Sequence, residues 1–387
     1  MSTTPPARAS VWAGFVALAI AMGIGRFAFT PILPLMQDDQ GLALSQGGWL
    51  ASANYLGYFA GAVSASFLRW NASTLLRVGL FVVALTTALM GWTHTWSAWI
   101  AWRSIAGMSS AWVLVATASL CLGRLNAIGR PDKAGWVFSG VGTGITVAGL
   151  VCLLAEMRGI TSSQTWLMLG AVAGVAMIAT MPLWKVSVTM PSHHEPQPRN
   201  HGSGYRRLIV CYGVFGFGYI LPATFLPAQA KDLLDDNAVF GLAWPLFGLM
   251  AALSTVLCGV LLRRLSLRQL WLLSQLVMAV GVIMPVAAPG LASIIIAATC
   301  VGGTFMVITM LGMQQAQVSA GPRARTLMAN MTAAFAAGQL AGPVVFSLLN
   351  EHLGGTLDSS LYLACGVLLL GCVLLVHPFP KYAAKPA

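Results

Sequence analysis

Two ionisable side chains, Arg26 and Arg103, stand deep inside long apolar stretches. A charge placed there costs at least about 2.5–3.5 kcal/mol and has to meet a partner or water. Arg26 lies ten residues before Met36, and Arg103 lies seven after Trp96. At the rise of a helix they sit roughly 15 and 10 Å below the same end, hence at similar depth. No carboxylate shares that level, since Glu156 and Glu351 fall near the ends of their stretches. Two unmatched cations at one depth suit the holding of an anion. For Arg103 a second reading stands beside it, in which the guanidinium bonds to backbone carbonyls or polar side chains and braces helices.

Other polar groups cluster around the same level. Thr30 follows Arg26 by one helical turn on the same face. Pro31 has no N–H to give Phe27, so that carbonyl is left free and the helix bends beside the arginine. Asn54, Tyr55 and Tyr58 place polar groups mid-stretch, and so do Tyr219 and Gln339 farther on. Each reads either as an interhelical hydrogen bond or as a ligand contact. Trp99 and Trp102 flank Arg103, placed to stack on it, on a ligand, or to face lipid.

The elements that position these residues follow from composition. The chain of 387 residues is 57% hydrophobic and only 8% charged, with a mean hydropathy of +0.79. Soluble domains carry about 25% charged residues, so the apolar excess must face something other than water. Stretches of 18 or more apolar residues recur, the length needed to cross roughly 30 Å of hydrocarbon, and in that medium they must be helical. Strands of a membrane barrel would alternate in polarity, and these stretches do not. The expected fold class is an all-α membrane protein.

Twelve spans are expected, the first six at roughly 11–36, 46–68, 74–92, 96–122, 134–157 and 163–183. Six more follow at roughly 207–229, 239–262, 269–287, 291–316, 325–349 and 359–377. Between them the Pro- and His-containing stretch 185–206 reads as a linker, giving halves 1–184 and 207–387. Counting Lys and Arg places most of them on one side, among them Arg69, Arg77, Arg124, Arg130, Arg263, Arg264, Arg268, Arg323 and Arg325. The opposite loops hold only Arg158 and Lys231, with Asp38, Asp39, Asp235, Asp236 and Asp358. That bias orients both termini to the cytoplasm. The first span, with no cleavage-site pattern before it, reads as a membrane helix.

The net charge of +11 is not gathered into a basic, aromatic-interleaved patch, which argues against nucleic acid as a partner. All seven cysteines lie within or at the ends of apolar segments without CxxC spacing, so they read as core residues and not as metal ligands. No cofactor is expected. Gly23-Ile-Gly25-Arg-Phe-Ala28 satisfies GxGxxA but follows no strand, so no dinucleotide site is expected there. Neither HExxH nor GxSxG occurs, and no acid pair stands within a span, so an enzyme is not expected.

The halves repeat each other. Gly23-Ile-Gly25 and Pro34 match Gly216-Phe-Gly218 and Pro227, each 193 residues on. Gly57 pairs with Gly248, Gly107 with Gly302, Gly144 with Gly338 and Glu156 with Glu351, at offsets of 191, 195, 194 and 195. Both repeats start on the same side, so they are related by an axis along the membrane normal.

At this point the chain resembles the major facilitator superfamily. Arg103-Ser-Ile-Ala-Gly107 looks like its RxxxG motif, and Gly140, Gly142, Gly144 and Gly149 look like its glycine-rich fifth-span motif without the usual proline. Gly338-Gln-Leu-Ala-Gly342-Pro343 is a fuller version in the eleventh span. Gly259-Val-Leu261-Leu-Arg263-Arg264 is a degenerate GxLxDR motif, with Arg263 where the acid belongs. Gly23 to Pro31 with Asn54-Tyr55-Leu-Gly57 most resembles the YbfB/YjiJ-type bacterial group within that superfamily.

The resemblance implies a monomeric transporter in the bacterial inner membrane, moving a small-molecule substrate by alternating access. It also implies that spans one and four border the central cavity. Arg26, Thr30, Asn54, Tyr55, Arg103, Tyr219 and Gln339 are then the candidate substrate-binding residues. Gly107, Gly140, Gly144, Gly338, Gly342, Pro343 and Arg264 are candidates for structure and gating. Proton coupling is the superfamily default, yet all six histidines fall in loops or at helix ends, so exchange with a counter-anion or uniport fits the residues equally well. Efflux of hydrophobic or cationic compounds is the alternative, which would favour an acid in the cavity. A non-transporting membrane sensor is a second alternative.

Overall fold

A computed structural model describes residues 7–185, 202–233, 237–288, 290–353 and 357–379. Of the expected linker, all but a few residues at its ends lie outside these. The described residues form twelve long helices. The first six are α1 (Ala7–Gln40), α2 (Leu44–Phe67), α3 (Ala72–Trp92), α4 (Trp96–Ala127), α5 (Ala134–Met157) and α6 (Ser162–Trp184). The second six are α7 (Gly202–Leu233), α8 (Asn237–Leu261), α9 (Leu267–Ala287), α10 (Leu291–Ala320), α11 (Ala324–Leu353) and α12 (Leu357–Leu375).

Among the described residues nine runs are long and apolar enough to cross a bilayer, and one, Leu291–Val345, contains both α10 and most of α11. α2 and α7 fall outside this set, and in α2 it is Asn54, Tyr55, Tyr58 and the serines that hold the hydropathy down. Leu253, Leu257, Ile295 and Val373 are more than half exposed, as side chains facing hydrocarbon must be.

Local chemistry sets the helix ends. Asn71 accepts from the Thr74 N–H at 2.7 Å and starts α3. Thr161 with Gln164, and Ser266 with Gln269, form reciprocal capping boxes at α6 and α9. Gly41, at φ 63°, ends α1 in a conformation that side chains avoid. Asp39 reaches from the end of α1 to the Ser162 hydroxyl at 2.7 Å and joins α1 to α6.

Within each half the helices approach backbone to backbone. A Cβ at Gly57 would fall 1.9 Å from the Ser104 carbonyl oxygen, and one at Gly107 would fall 2.1 Å from that of Asn54. α2 and α4 therefore cross where only glycine fits. Gly140 and Gly144 let α5 touch the Phe15 and Ala19 carbonyls of α1. Gly338 lets α11 touch the Gly213 carbonyl of α7, which is the repeat of the same contact.

The two six-helix halves meet along α5–α8 and α2–α11. Gly142 faces Ala252 and Gly248, and Gly149 faces Pro245. At the end of the bundle where basic residues gather, Arg325 of α11 donates to the carbonyls of Trp70 (2.5 Å), Leu68 (2.6 Å) and Ala65 (3.4 Å) just at and beyond the end of α2. Gln314 donates to the Pro131 carbonyl at 3.0 Å. Arg263 lies 3.6 Å from Asp132, so the arginine in the acid's place meets an acid from the other half. The Gln314 and Arg263 contacts border a cavity of about 540 Å³ lined by Asn126, Arg130, Asp132, Arg263, Ser266 and Gln314.

Candidate functional site

α1 does not run as one α-helix. Ala19–Phe27 is π-helical, a turn follows at Ala28, and α-helix resumes at Phe29. Where the two kinds of helix meet, carbonyls and N–H groups fall out of register, so the carbonyls need other donors. Arg103 supplies them. Its Nη1 donates to the Gly25 carbonyl and its Nη2 to the Arg26 carbonyl, each at 3.2 Å.

The Arg103 guanidinium lies over the Phe29 ring, 4.7 Å from its centre. Asn54 holds the base of the arrangement by donating to the Arg103 carbonyl at 3.0 Å. Ser110 adds a bond to the Ala21 carbonyl at 2.8 Å. The Trp99 and Trp102 indoles are spent elsewhere, on the Met90 and Thr93 carbonyls and the Thr93 hydroxyl. The ring against Arg103 is thus Phe29.

Arg103→Lys tests this geometry, because one ammonium cannot reproduce the fork that reaches two carbonyls. Loss of stability by about 1–3 kcal/mol is expected, read as a fall in melting temperature, since a charged hydrogen bond to a buried carbonyl is lost. An unchanged melting temperature would count against the bracing geometry.

Arg26 has a different environment. It is 3% exposed, and its Nη2 donates to Oε1 of Gln339 on α11, across the seam between the halves. Its Cζ lies 3.9 Å from the centre of the Tyr58 ring, 5.5 Å from that of Tyr55 and 5.6 Å from that of Phe27. Nε and Nη1 are buried without a hydrogen-bond partner in the protein. A buried donor left in that state costs about 1–3 kcal/mol, and more when charged, so Arg26 is held here at a cost to stability.

From Arg26 an aromatic series runs into the second half. Phe27 meets Phe305 at 6.0 Å and Trp244 at 6.5 Å between ring centres. Phe305 stacks on Tyr219 and on Phe247, each at 5.2 Å.

The structure brings Arg26, Tyr55 and Gln339 together and places Tyr219 behind Phe305. Asn54 and Arg103 belong to the brace of α1, α2 and α4, and Thr30 is exposed. Gly342 packs on Ile220, Pro343 lies within α11, and Arg264 is exposed at the turn after α8. Glu156 is exposed at the end of α5, and the side chain of Glu351 lies outside the described residues.

Tyr58, legible as a mid-span polar group, is the ring closest to Arg26. Trp244, Phe247 and Phe305 gave no signal, because an aromatic residue in an apolar span reads first as packing or lipid contact.

Two six-helix halves closing on a buried polar centre are the architecture of a membrane solute transporter. The chain belongs to the major facilitator superfamily (MFS), in the family described as uncharacterised MFS-type transporter YbfB, whose profile matches residues 18–376.

Over 104 residues the chain is 33% identical to the MFS-type transporter YceJ of Bacillus subtilis, covering 26% of each chain. Over 173 residues it is 31% identical to an MFS-type transporter of Yersinia pestis, covering 43% of each. These matches span less than half of those relatives' length. The fold is that of the human organic anion transporter MFSD10 (TETRAN), with a TM-score of 0.76 at 15% identity over 96% of this chain and 100% of that one. It is also that of the Escherichia coli fucose:proton symporter FucP, with a TM-score of 0.70 at 14% identity over 95% and 98%.

Proposed function

We propose that this chain is a secondary transporter of small organic anions, with Arg26 as the residue that holds the negative charge. The observation that carries this reading is a buried guanidinium with two unpartnered nitrogens at the seam between the halves. An anion is the ligand that relieves it. A cationic cargo would meet repulsion at the same place, with no acid at that depth to offset it. The human organic anion transporter MFSD10 has the same fold, and that agrees with the reading.

In this proposal residues 1–184 and 207–387 are the moving halves, joined by 185–206, and the chain acts as a monomer in the bacterial inner membrane with both termini cytoplasmic. Gln339 senses the guanidinium from the second half, Tyr55 and Tyr58 line the site with Tyr219 behind Phe305, and Arg103 positions Arg26 through the carbonyls it binds. Thr30 stands at the site's margin. Gly107, Gly140, Gly144, Gly338 and Gly342 keep the helices close while the halves rock, and Pro343 and Arg264 stand at gating positions. Coupling to a proton or exchange for a counter-anion supplies the driving force.

The test is a thermal-shift screen of the purified protein against organic anions, neutral solutes and organic cations, followed by uptake into proteoliposomes. Stabilisation by anions alone is expected. Stabilisation by cations alone would overturn the reading in favour of efflux of hydrophobic or cationic compounds.

A further inference from the structure

The contacts of the Arg26 guanidinium divide by half. Phe27, Tyr55 and Tyr58, the rings around its Cζ, lie on α1 and α2 and travel with it. Gln339 on α11 is the one hydrogen-bond partner of that guanidinium among the described residues, and it comes from the second half. No ion pair among the described residues reaches Arg26. When the halves move, the bond to Gln339 is therefore the contact of this charge that can be made or lost.

The pair is also particular to this seam. Gln339 is 1% exposed, and Gly338 beside it lets α11 touch the Gly213 carbonyl of α7. At the 194-residue offset of Gly144 and Gly338 its repeat position is Ile145, and that of Arg26 is Tyr219, 193 residues on. Ile145 is fully buried. The repeat positions carry neither the charge nor the amide, so packing of the repeat does not require this pair. A buried amide costs stability unless it is bonded, and the Gln339 oxygen is bonded to the guanidinium.

Resting on the anion reading above, we infer that Gln339 is the positioning residue that lets the carrier cross without cargo, and so sets the ratio of net transport to exchange. A bound anion neutralises Arg26 on the loaded crossing. On the return without cargo the guanidinium still enters the closed seam, where a charge without a partner is costly. The Gln339 oxygen offsets part of that cost through a charge-assisted hydrogen bond. Being neutral, it yields to an anion, whereas a carboxylate in its place would compete with the substrate for the guanidinium.

Proteoliposomes loaded with labelled benzenesulfonate, succinate or glycerol phosphate, with the membrane potential clamped, test this. Efflux into a medium holding the same unlabelled anion reads exchange, and efflux into a medium without it reads net transport. In Gln339→Leu the ratio of net efflux to exchange should fall by about thirtyfold, the share of one hydrogen bond to a buried charge. In Gln339→Glu the ratio should rise above wild type, while KM for the anion rises by about a hundredfold through like-charge repulsion. A role in packing alone would lower both rates together and leave the ratio where it was.

An unchanged ratio in Gln339→Leu would overturn the inference and leave the anion reading intact. Should that variant not fold, Gln339→Glu carries the test, and a ratio at or below wild type would overturn the inference equally. If the wild type moves none of the three anions in either mode, the anion reading fails and the inference falls with it.

Discussion

Replacing Arg26 with alanine is expected to lower uptake of an organic anion into proteoliposomes by at least about a hundredfold, with folded yield and melting temperature close to wild type. Truncating one partner of a buried charge pair costs about 2–5 kcal/mol, and about 2.7 kcal/mol is a hundredfold in affinity. Stability should move little because two effects oppose. Alanine removes a buried charge with two unpartnered nitrogens, which relieves desolvation. It also strips Gln339 of its donor and Tyr58 of the group stacked on its face, which costs about the same few kcal/mol.

Arg26→Lys is the companion variant. It keeps the charge and loses the planar fork, so it should retain a fraction of the activity and cost roughly tenfold. Transport at the wild-type rate by the alanine variant would end the anion proposal. Should the alanine variant fail to insert, Arg26→Lys carries the test through its expected tenfold loss.

Much of this fold was legible before any coordinates. Hydrocarbon admits few backbone solutions, so apolar length alone marked the helices, and their ends fall within a few residues of those expected. The glycines of the repeat were legible for the same reason. Gly23, Gly144, Gly216 and Gly338 stand where two backbones touch, and nothing larger fits. Arg26 and Arg103 announced themselves by depth.

Their different roles did not show. Arg103 binds the carbonyls of Gly25 and Arg26, and a carbonyl is present at every residue, so no side-chain pattern records that choice. The π-helical stretch Ala19–Phe27, which packs on α5 at Gly144, was equally hidden, because no residue pattern marks that change of helix type. The bond from Arg26 to Gln339 joins residues 313 apart, where spacing carries no information about contact.

The gate shows the same limit, and it yields the last expected result. The superfamily's loop aspartate is absent after α2, where Arg69 and Trp70 stand instead, and the sequence offers no acid for a basic partner. Arg325 finds one in the backbone, donating to the carbonyls of Ala65, Leu68 and Trp70. The last carbonyls of a helix have no partner within it and carry its negative dipole end, so they serve where a carboxylate would.

Three bonds from a charged donor, discounted for its partial exposure, come to about 3 kcal/mol. Arg325→Ala should therefore shift the balance toward the state open at this end by about a hundredfold. A cysteine at position 123 reports it, since a side chain at Gly123 meets only Gln317 Nε2, at 3.7 Å, in the seam between α4 and α10. Its labelling by a membrane-impermeant thiol reagent should accelerate tenfold or more in the Arg325→Ala background, by the size of that shift.

Asp132→Asn provides the contrast, because Arg263, its partner across the seam, is largely exposed and a surface pair is worth about 0–1 kcal/mol. Labelling in that background should change by less than about fivefold. Equal labelling in the Arg325→Ala and parent backgrounds would mean that the helix end does not hold the gate.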